Sequence, residues 1–151
     1  MPMQDSYLYQ LDMEWTGGSS GRLTAEGLPV VTFSAPLEFH GEPGQWTPEQ
    51  LLVAATASCL MTTFMAIAKI QKLTVHSYRS KAFGRLEKVP GEGYRFTEIA
   101  LTPEIGVAPE GVGIALKVMA KAEQNCFISK SLRAAVKVEP RFVSAPVEVA
   151  G

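Results

Sequence analysis

One long apolar stretch, Leu51–Ala68, dominates the hydrophobic pattern of the chain and contains no charged residue. Thr47, Pro48 and Gln50 precede it with the features of a helix start, because threonine can cap a helix, proline suits its first position and glutamine completes a capping box. The pattern therefore predicts a helix over Thr47–Lys72. Since this helix is apolar on all sides, we expect the rest of the fold to bury it on every side.

The residues before this helix predict a short antiparallel sheet. Apolar and polar positions alternate over Tyr7–Trp15, which is the period of a half-buried strand. The glycine- and serine-rich segment Gly17–Gly21 predicts a turn into a second strand, Arg22–Glu26. We expect a third short strand over Leu28–Phe33 and a loop over Ala35–Trp46 that leads into the helix.

The residues after the long helix predict three strands and two shorter helices. The strands are Val75–Leu86, Tyr94–Ile105 and Val136–Val149, with a turn at Glu87–Gly93. The helices are Pro109–Glu123 and Ser129–Ala135, with a break at Gln124–Ile128. Prolines in the last strand indicate a sheet edge. The order of elements predicts an α+β fold, one domain over residues 1–151, with antiparallel sheets wrapped around a long buried central helix.

Composition and charge exclude several classes of function. Lysine and arginine number 14 against 15 acidic residues, the net charge is −1, and no basic run occurs, so we expect no nucleic-acid partner. The N-terminal residues lack the basic and apolar regions of a signal peptide, and we expect a cytoplasmic protein. The long apolar stretch reaches the length of a membrane span. Its threonines, serine and alanines favour a buried helix, and we expect no membrane partner.

The two cysteines have contrasting settings. Cys59 lies in the middle of the long helix, whereas Cys126 ends the polar break AEQNC. A rigid thiol and a second thiol at a mobile junction are the layout of a thiol peroxidase, in which the first attacks an O–O bond and the resulting sulfenic acid condenses with the second. Two structural thiols are the alternative on spacing alone, because free cysteine is among the most buried residue types.

A cysteine in mid-helix gains little from the helix dipole, so a cation is needed to lower the pKa of Cys59. Arg22, at the exit of the glycine-rich turn, is the candidate, and it could also support a departing alkoxide. Glu49 could hold the guanidinium in place through a bidentate pair. The alternative is that both residues have ordinary roles. Arg22 would then be a solvated residue on a strand, and Glu49 an acid in the first turn of the helix, where the helix dipole favours it.

Three segments together give a resemblance to a known family. They are GR (Gly21–Arg22), PEQLLVAATASC (Pro48–Cys59) and AEQNCFISKSL (Ala122–Leu132). With these segments and the order of its elements, the chain resembles the OsmC/Ohr family of osmotically inducible protein C and the organic hydroperoxide resistance proteins. It looks like a general OsmC-like member.

The resemblance implies an activity and a role for each candidate residue. Cys59 is implied to be the peroxidatic cysteine and Cys126 the resolving cysteine, with Arg22 and Glu49 as the pair that activates Cys59. The implied reaction is thiol-dependent reduction of organic hydroperoxides, and more weakly of hydrogen peroxide, in oxidative-stress defence. It requires no cofactor, and an external dithiol, in the family often a lipoylated protein, restores the thiols.

The spacing of Glu49 and Cys59 predicts a dimer. Ten helical residues rise about 15 Å, so the two side chains of one straight helix cannot share a small site. Two antiparallel copies of the helix could bring Glu49 of one chain to Cys59 of the other. We therefore expect an intertwined homodimer with two equivalent sites, as the family is known to form.

Other chemistry has weaker support in the sequence. His40 lies in a loop and His76 on a strand, and neither a metal-binding spacing nor the acid of a hydrolase site accompanies them, so we expect no metal. The competing function is a dimeric protein that binds a small lipophilic ligand, with thiols that only sense redox state.

Overall fold

Two compact units, Met1–Leu51 and Leu52–Gly151, divide the chain in the computed structural model, and the structure describes residues 3–144. Helices and strands together form the α+β architecture that the sequence predicts, with a long helix at its centre. The expectation of a single domain over residues 1–151 stays a prediction.

The first unit contains a three-stranded antiparallel sheet. Its strands are β1 (Asp12–Gly17), β2 (Ser20–Thr24) and β3 (Val31–Ser34), in that spatial order. A tight turn joins β1 to β2 because Gly17 and Gly18 adopt positive φ angles of 124° and 55°. The predicted strand over Tyr7–Trp15 is correct only from Asp12 onward, since the residues before it have no strand to pair with.

The long helix α1 spans Pro48–Ile70. Its start is the predicted capping box: the Gln50 N–H donates to Thr47 Oγ1 at 3.0 Å, and the Thr47 N–H donates to Gln50 Oε1 at 3.3 Å. The two reciprocal bonds satisfy backbone donors that a helix N-terminus leaves without partners.

Burial of α1 differs from the expectation. Its buried residues form one stripe at a spacing of four, Thr56, Leu60, Phe64 and Ala68. Apolar residues on other faces are accessible, including Met65 at 39% and Ile70 at 76% exposure. By length and composition α1 could also cross a membrane, and 22% of its most apolar window is buried. Full burial on every side is therefore wrong for the single chain.

The second unit contains a mixed sheet built on a long hairpin. Strand β4 (Ser77–Val89) pairs antiparallel with β5 (Gly93–Val107). Strands β6 (Ala135–Val138) and β7 (Arg141–Ser144) both pair parallel with β5, so this sheet is mixed, whereas the sequence predicts antiparallel sheets. The parallel pairing follows from the helical crossover between β5 and β6.

Two helices form this crossover, α2 (Val112–Asn125) and α3 (Phe127–Lys130). A 3₁₀ turn at Pro109–Gly111 precedes α2, where the sequence predicts the helix to begin. The predicted helix over Ser129–Ala135 is wrong, because α3 ends at Lys130 and Ala135 already belongs to β6. The predicted strand Val136–Val149 is interrupted before Arg141, as its first proline indicates, and its residues 145–149 lie outside the described residues.

One hydrophobic core lies within the second unit. Its buried members come from α1, β5 and α2, and they are Leu60, Phe64, Ala68, Ile99, Leu101, Ile105, Val107, Ala115, Val118, Met119 and Ala122. This core fixes α1 and α2 against the sheet and so holds the middle of α1 near the end of α2.

A substitution at Gly84 tests this packing. A Cβ added there meets Phe96 Cε1 at 2.6 Å and Val53 Cγ2 at 2.7 Å, distances that side chains do not tolerate. We expect Gly84→Ala to lower the free energy of unfolding by about 1–3 kcal/mol in urea denaturation. Gly113→Ala is the control: its Cβ meets nothing within 4 Å, and in α2 alanine should add up to ~1 kcal/mol. Equal effects of both variants would contradict the packing.

Candidate active site

The structure brings the two cysteines together. Cys59 is half-buried in the middle of α1, and Cys126 is fully buried between α2 and α3. The side chain of Cys126 forms a hydrogen bond with the Cys59 thiol. A thiol on a long helix and a thiol at a helix junction, which the sequence analysis singled out without predicting their distance, are therefore neighbours within one chain.

Cys126 owes its position to a change in backbone direction. Its φ and ψ of −70° and 113° are extended, so α2 ends at Asn125 and α3 starts at Phe127. The first N–H groups of a helix have no acceptor within it. The N–H groups of Phe127 and Ile128 donate instead to the Cys59 sulfur.

The environment of Cys59 favours its thiolate. Burial raises the pKa of this thiol, but hydrogen bonds outweigh burial, from the Ile128 N–H first and then from the side chains of Cys126 and Thr63 and the Phe127 N–H. The pKa of Cys59 therefore lies below its ordinary value. A lowered pKa at a partly exposed thiol is the setting of a reactive cysteine.

Thr63 and the two backbone N–H groups are functional groups that the sequence analysis missed. Thr63 Oγ1 lies 3.9 Å from Cys59 Sγ, and its position four residues later on the same helix could have indicated this contact. Backbone N–H groups leave no such signal, because any residue except proline supplies one. The expectation of a cation beside Cys59 therefore left out these neutral donors, one hydroxyl and two backbone N–H groups.

Arg22 and Glu49 are not paired with each other in the structure. Arg22 lies opposite Glu14 in the register of β1 and β2, and its Nη2 donates to Glu14 Oε1 at 2.9 Å. Glu14 thus takes the place that the sequence analysis gave to Glu49. Glu49 Oε1 is buried and has no hydrogen-bond partner among the described residues. The roles of Arg22 and Glu49 at Cys59 stay predictions.

Within residues 3–144, no group of three or more His, Cys, Asp or Glu side chains could hold a metal ion. A zinc site that combines the two cysteines with His40 and His76 therefore has no support within this range.

Comparisons with known proteins agree with the fold. The family model described as OsmC-like protein matches residues 40–141. An uncharacterised protein of Bacillus subtilis, YmaD, is 26% identical over 155 residues, which cover 99% of each chain. An OsmC-like protein of unknown function from Vibrio cholerae has a TM-score of 0.80 at 24% identity, over 89% of this chain and 99% of that one. An organic hydroperoxide resistance protein from Legionella pneumophila has a TM-score of 0.67 at 25% identity, over 91% and 98%.

Thr63→Val tests the hydroxyl beside the thiol. Valine keeps the shape of threonine but removes the donor, so the pKa of Cys59 should rise and alkylation of Cys59 by iodoacetamide at neutral pH should slow. The rate measured against pH should show its midpoint at higher pH than in the parent protein. Thr62→Val is the control, because the Thr62 hydroxyl donates to the Cys59 carbonyl at 3.1 Å and not to the sulfur. An unchanged profile in Thr63→Val would contradict the contact.

Proposed function

The chain belongs to the OsmC-like protein family, and we propose that it is a cysteine-based peroxidase that reduces organic hydroperoxides, and hydrogen peroxide more weakly. The observation that carries this proposal is the Cys59 thiol, which has a lowered pKa and accepts hydrogen bonds from the segment that contains a second thiol. Relatives of similar fold that are named organic hydroperoxide resistance proteins support the choice of substrate.

Oxidation of Cys59 is the first step. The thiolate attacks the terminal oxygen of ROOH, the O–O bond breaks, and RO⁻ leaves and takes up a proton to become the alcohol. Cys59 is now a sulfenic acid. The N–H groups of Phe127 and Ile128, which hold the thiolate before the attack, keep its sulfur beside Cys126.

Resolution by Cys126 is the second step. The Cys126 thiolate attacks the Cys59 sulfur, the S–O bond breaks, and hydroxide leaves and is protonated to water. The two sulfurs share a disulfide, and further oxidation of Cys59 is prevented. An external dithiol, such as a lipoylated protein, then reduces this disulfide by two thiol exchanges and becomes oxidised itself. We place the cycle in the cytoplasm, where thiols are kept reduced.

Arg22 and Glu49 complete the site in this proposal. A buried carboxylate oxygen without a donor is costly, and a guanidinium is the donor that fits it best. Arg22 forms only an exposed ion pair with Glu14, and exposed pairs contribute little stability, about 0–1 kcal/mol. If Arg22 paired with Glu49 in place of Glu14, its guanidinium would bring a fixed positive charge to the site of the departing alkoxide.

A homodimer is the second part of the proposal. Glu49 and Cys59 are ten residues apart on α1, about 15 Å along its axis, so they would meet at Cys59 only across two chains. Apolar side chains that α1 leaves accessible, such as Met61 and Met65, support a partner there, because exposed apolar patches mark interaction sites. A second copy of α1 would restore the burial that the sequence predicts.

Cysteine variants test the catalytic cycle. With cumene hydroperoxide and excess dithiothreitol, we expect Cys59→Ser to lower peroxide consumption by at least about a thousandfold, because no other described thiol can start the reaction. Cys126→Ser should complete one turnover and then accumulate sulfenate and sulfinate at Cys59, as seen by mass. Full steady-state consumption by Cys59→Ser would overturn the role of Cys59, whereas no consumption by the parent protein would favour a protein that binds a lipophilic ligand.

A charge on the accessible face of α1 tests the dimer. We expect the parent protein to have about twice the chain mass of 16.3 kDa in light scattering, and Met65→Glu to have the single mass, because the interface would bury an unpaired carboxylate. Leu116→Glu is the matched control: Leu116 is an exposed apolar residue on α2, outside the proposed interface. A monomeric parent protein with full peroxidase activity would contradict the dimer.

A further inference from the structure

A cationic cleft lies on the mixed sheet of the second unit, on the face opposite the hydrophobic core. Thr102 and Glu104 of β5 alternate with buried core residues such as Leu101, so their side chains point away from the core. The cleft has a volume of about 460 Å³. Its lining residues are Arg79, Ser80, Lys81, Thr102, Glu104 and Arg141.

Strand pairing brings the charged residues of the cleft together. Arg79 of β4 and Arg141 of β7 both lie opposite Glu104 of β5, so the acid stands between two arginines. Lys81 is the next residue on the same side of β4 and lies opposite Thr102. The sequence contains no basic run here, because two of the cations alternate with other residues along β4 and the third comes from a distant strand.

Glu104 holds both arginines in place. The Nε and Nη2 atoms of Arg79 donate to Glu104 Oε1 at 3.2 and 2.9 Å, and Arg141 Nη1 lies 4.0 Å from Glu104 Oε2. The side chain of Glu104 is only 28% exposed, against 82% for Arg79 and 76% for Arg141. Each guanidinium is therefore fixed at one edge, while its remaining N–H groups stay open to a ligand.

The cleft carries more positive charge than its own ion pairs require. Three cations and one carboxylate line it, which leaves a local charge of +2 in a chain whose net charge is −1. One arginine would be enough to pair with Glu104. Lys81 forms no ion pair within residues 3–144, so pairing accounts neither for this lysine nor for the second arginine.

We propose that this cleft binds the phosphate group of a small phosphate monoester. Such a group carries close to two negative charges at neutral pH and has three acceptor oxygens, which match the local charge and the three cations. The planar fork of arginine suits phosphate, and lysine adds a point charge. The volume of the cleft lies within the range of small-molecule sites. This site is separate from the proposed peroxidase chemistry.

Amide NMR spectra of the reduced protein test the site. We titrate glycerol 3-phosphate at neutral pH and low salt, and we expect shifts confined to the surroundings of residues 79–81, 102–104 and 141. The dissociation constant should be about 1 mM or lower and should rise with added sodium chloride, because salt screens exposed charges. Lys81→Gln and Arg141→Gln should each weaken binding at least about fivefold, since each removes a charged donor. Both side chains are exposed, so both variants should keep the fold, which the rest of the spectrum checks.

Two controls separate this site from general attraction between charges. Lys88→Gln removes a lysine of the same strand that does not line the cleft, and it should leave the affinity unchanged. Acetate, which has one charge and two oxygens, should bind at least about tenfold more weakly than glycerol 3-phosphate.

Several results would overturn the proposal. Shifts spread over the whole surface, equal weakening by Lys88→Gln and Lys81→Gln, or no saturation at about 10 mM ligand would contradict a phosphate site. Tighter binding of hexaglutamate than of glycerol 3-phosphate would replace the small ligand with an acidic protein segment. Peroxide takes no part in this titration, so failure of the peroxidase proposal would leave its result unchanged.

Discussion

The hydrogen bonds from residues 126–128 to the Cys59 sulfur are the interaction on which the site depends. They lower the pKa of Cys59 and at the same time hold Cys126 next to it. The same structural feature therefore activates the Cys59 thiol and places the Cys126 thiol beside it. The extended backbone at Cys126 makes it possible, because it exposes the first N–H groups of α3.

The core of the second unit provides the rigidity that these bonds require. Leu60 and Phe64 flank the turn of α1 after Cys59 and are buried against α2 and β5. A shift of α1 along its axis by one residue, about 1.5 Å, would carry the Cys59 sulfur away from its donors. Apolar side chains of α1 remain accessible in one chain, which supports the proposal that a second chain packs there.

Local patterns predicted much of this structure. Thr47 and Gln50 indicated the start of α1 correctly. The sequence also singled out the two cysteines, which the structure places next to each other. The sequence predicts the break around Cys126, but it places the third helix too late in the chain, because the break is a single extended residue and α3 already begins at Phe127. The backbone donors to Cys59 could not be predicted, since backbone N–H groups are common to nearly all residues. Arg22 was assigned to Glu49 because sequence spacing does not reveal that β1 brings Glu14 opposite it.

The most direct test of this account is the product that forms when the reduced protein meets one equivalent of cumene hydroperoxide. The intact mass should fall by two hydrogens, and peptide mapping should locate the new bond between Cys59 and Cys126. Because the side chains already share a hydrogen bond, the disulfide should form without a slow intermediate. A lasting gain of oxygen at Cys59, with Cys126 still open to alkylation after unfolding, would contradict the coupling of the two thiols.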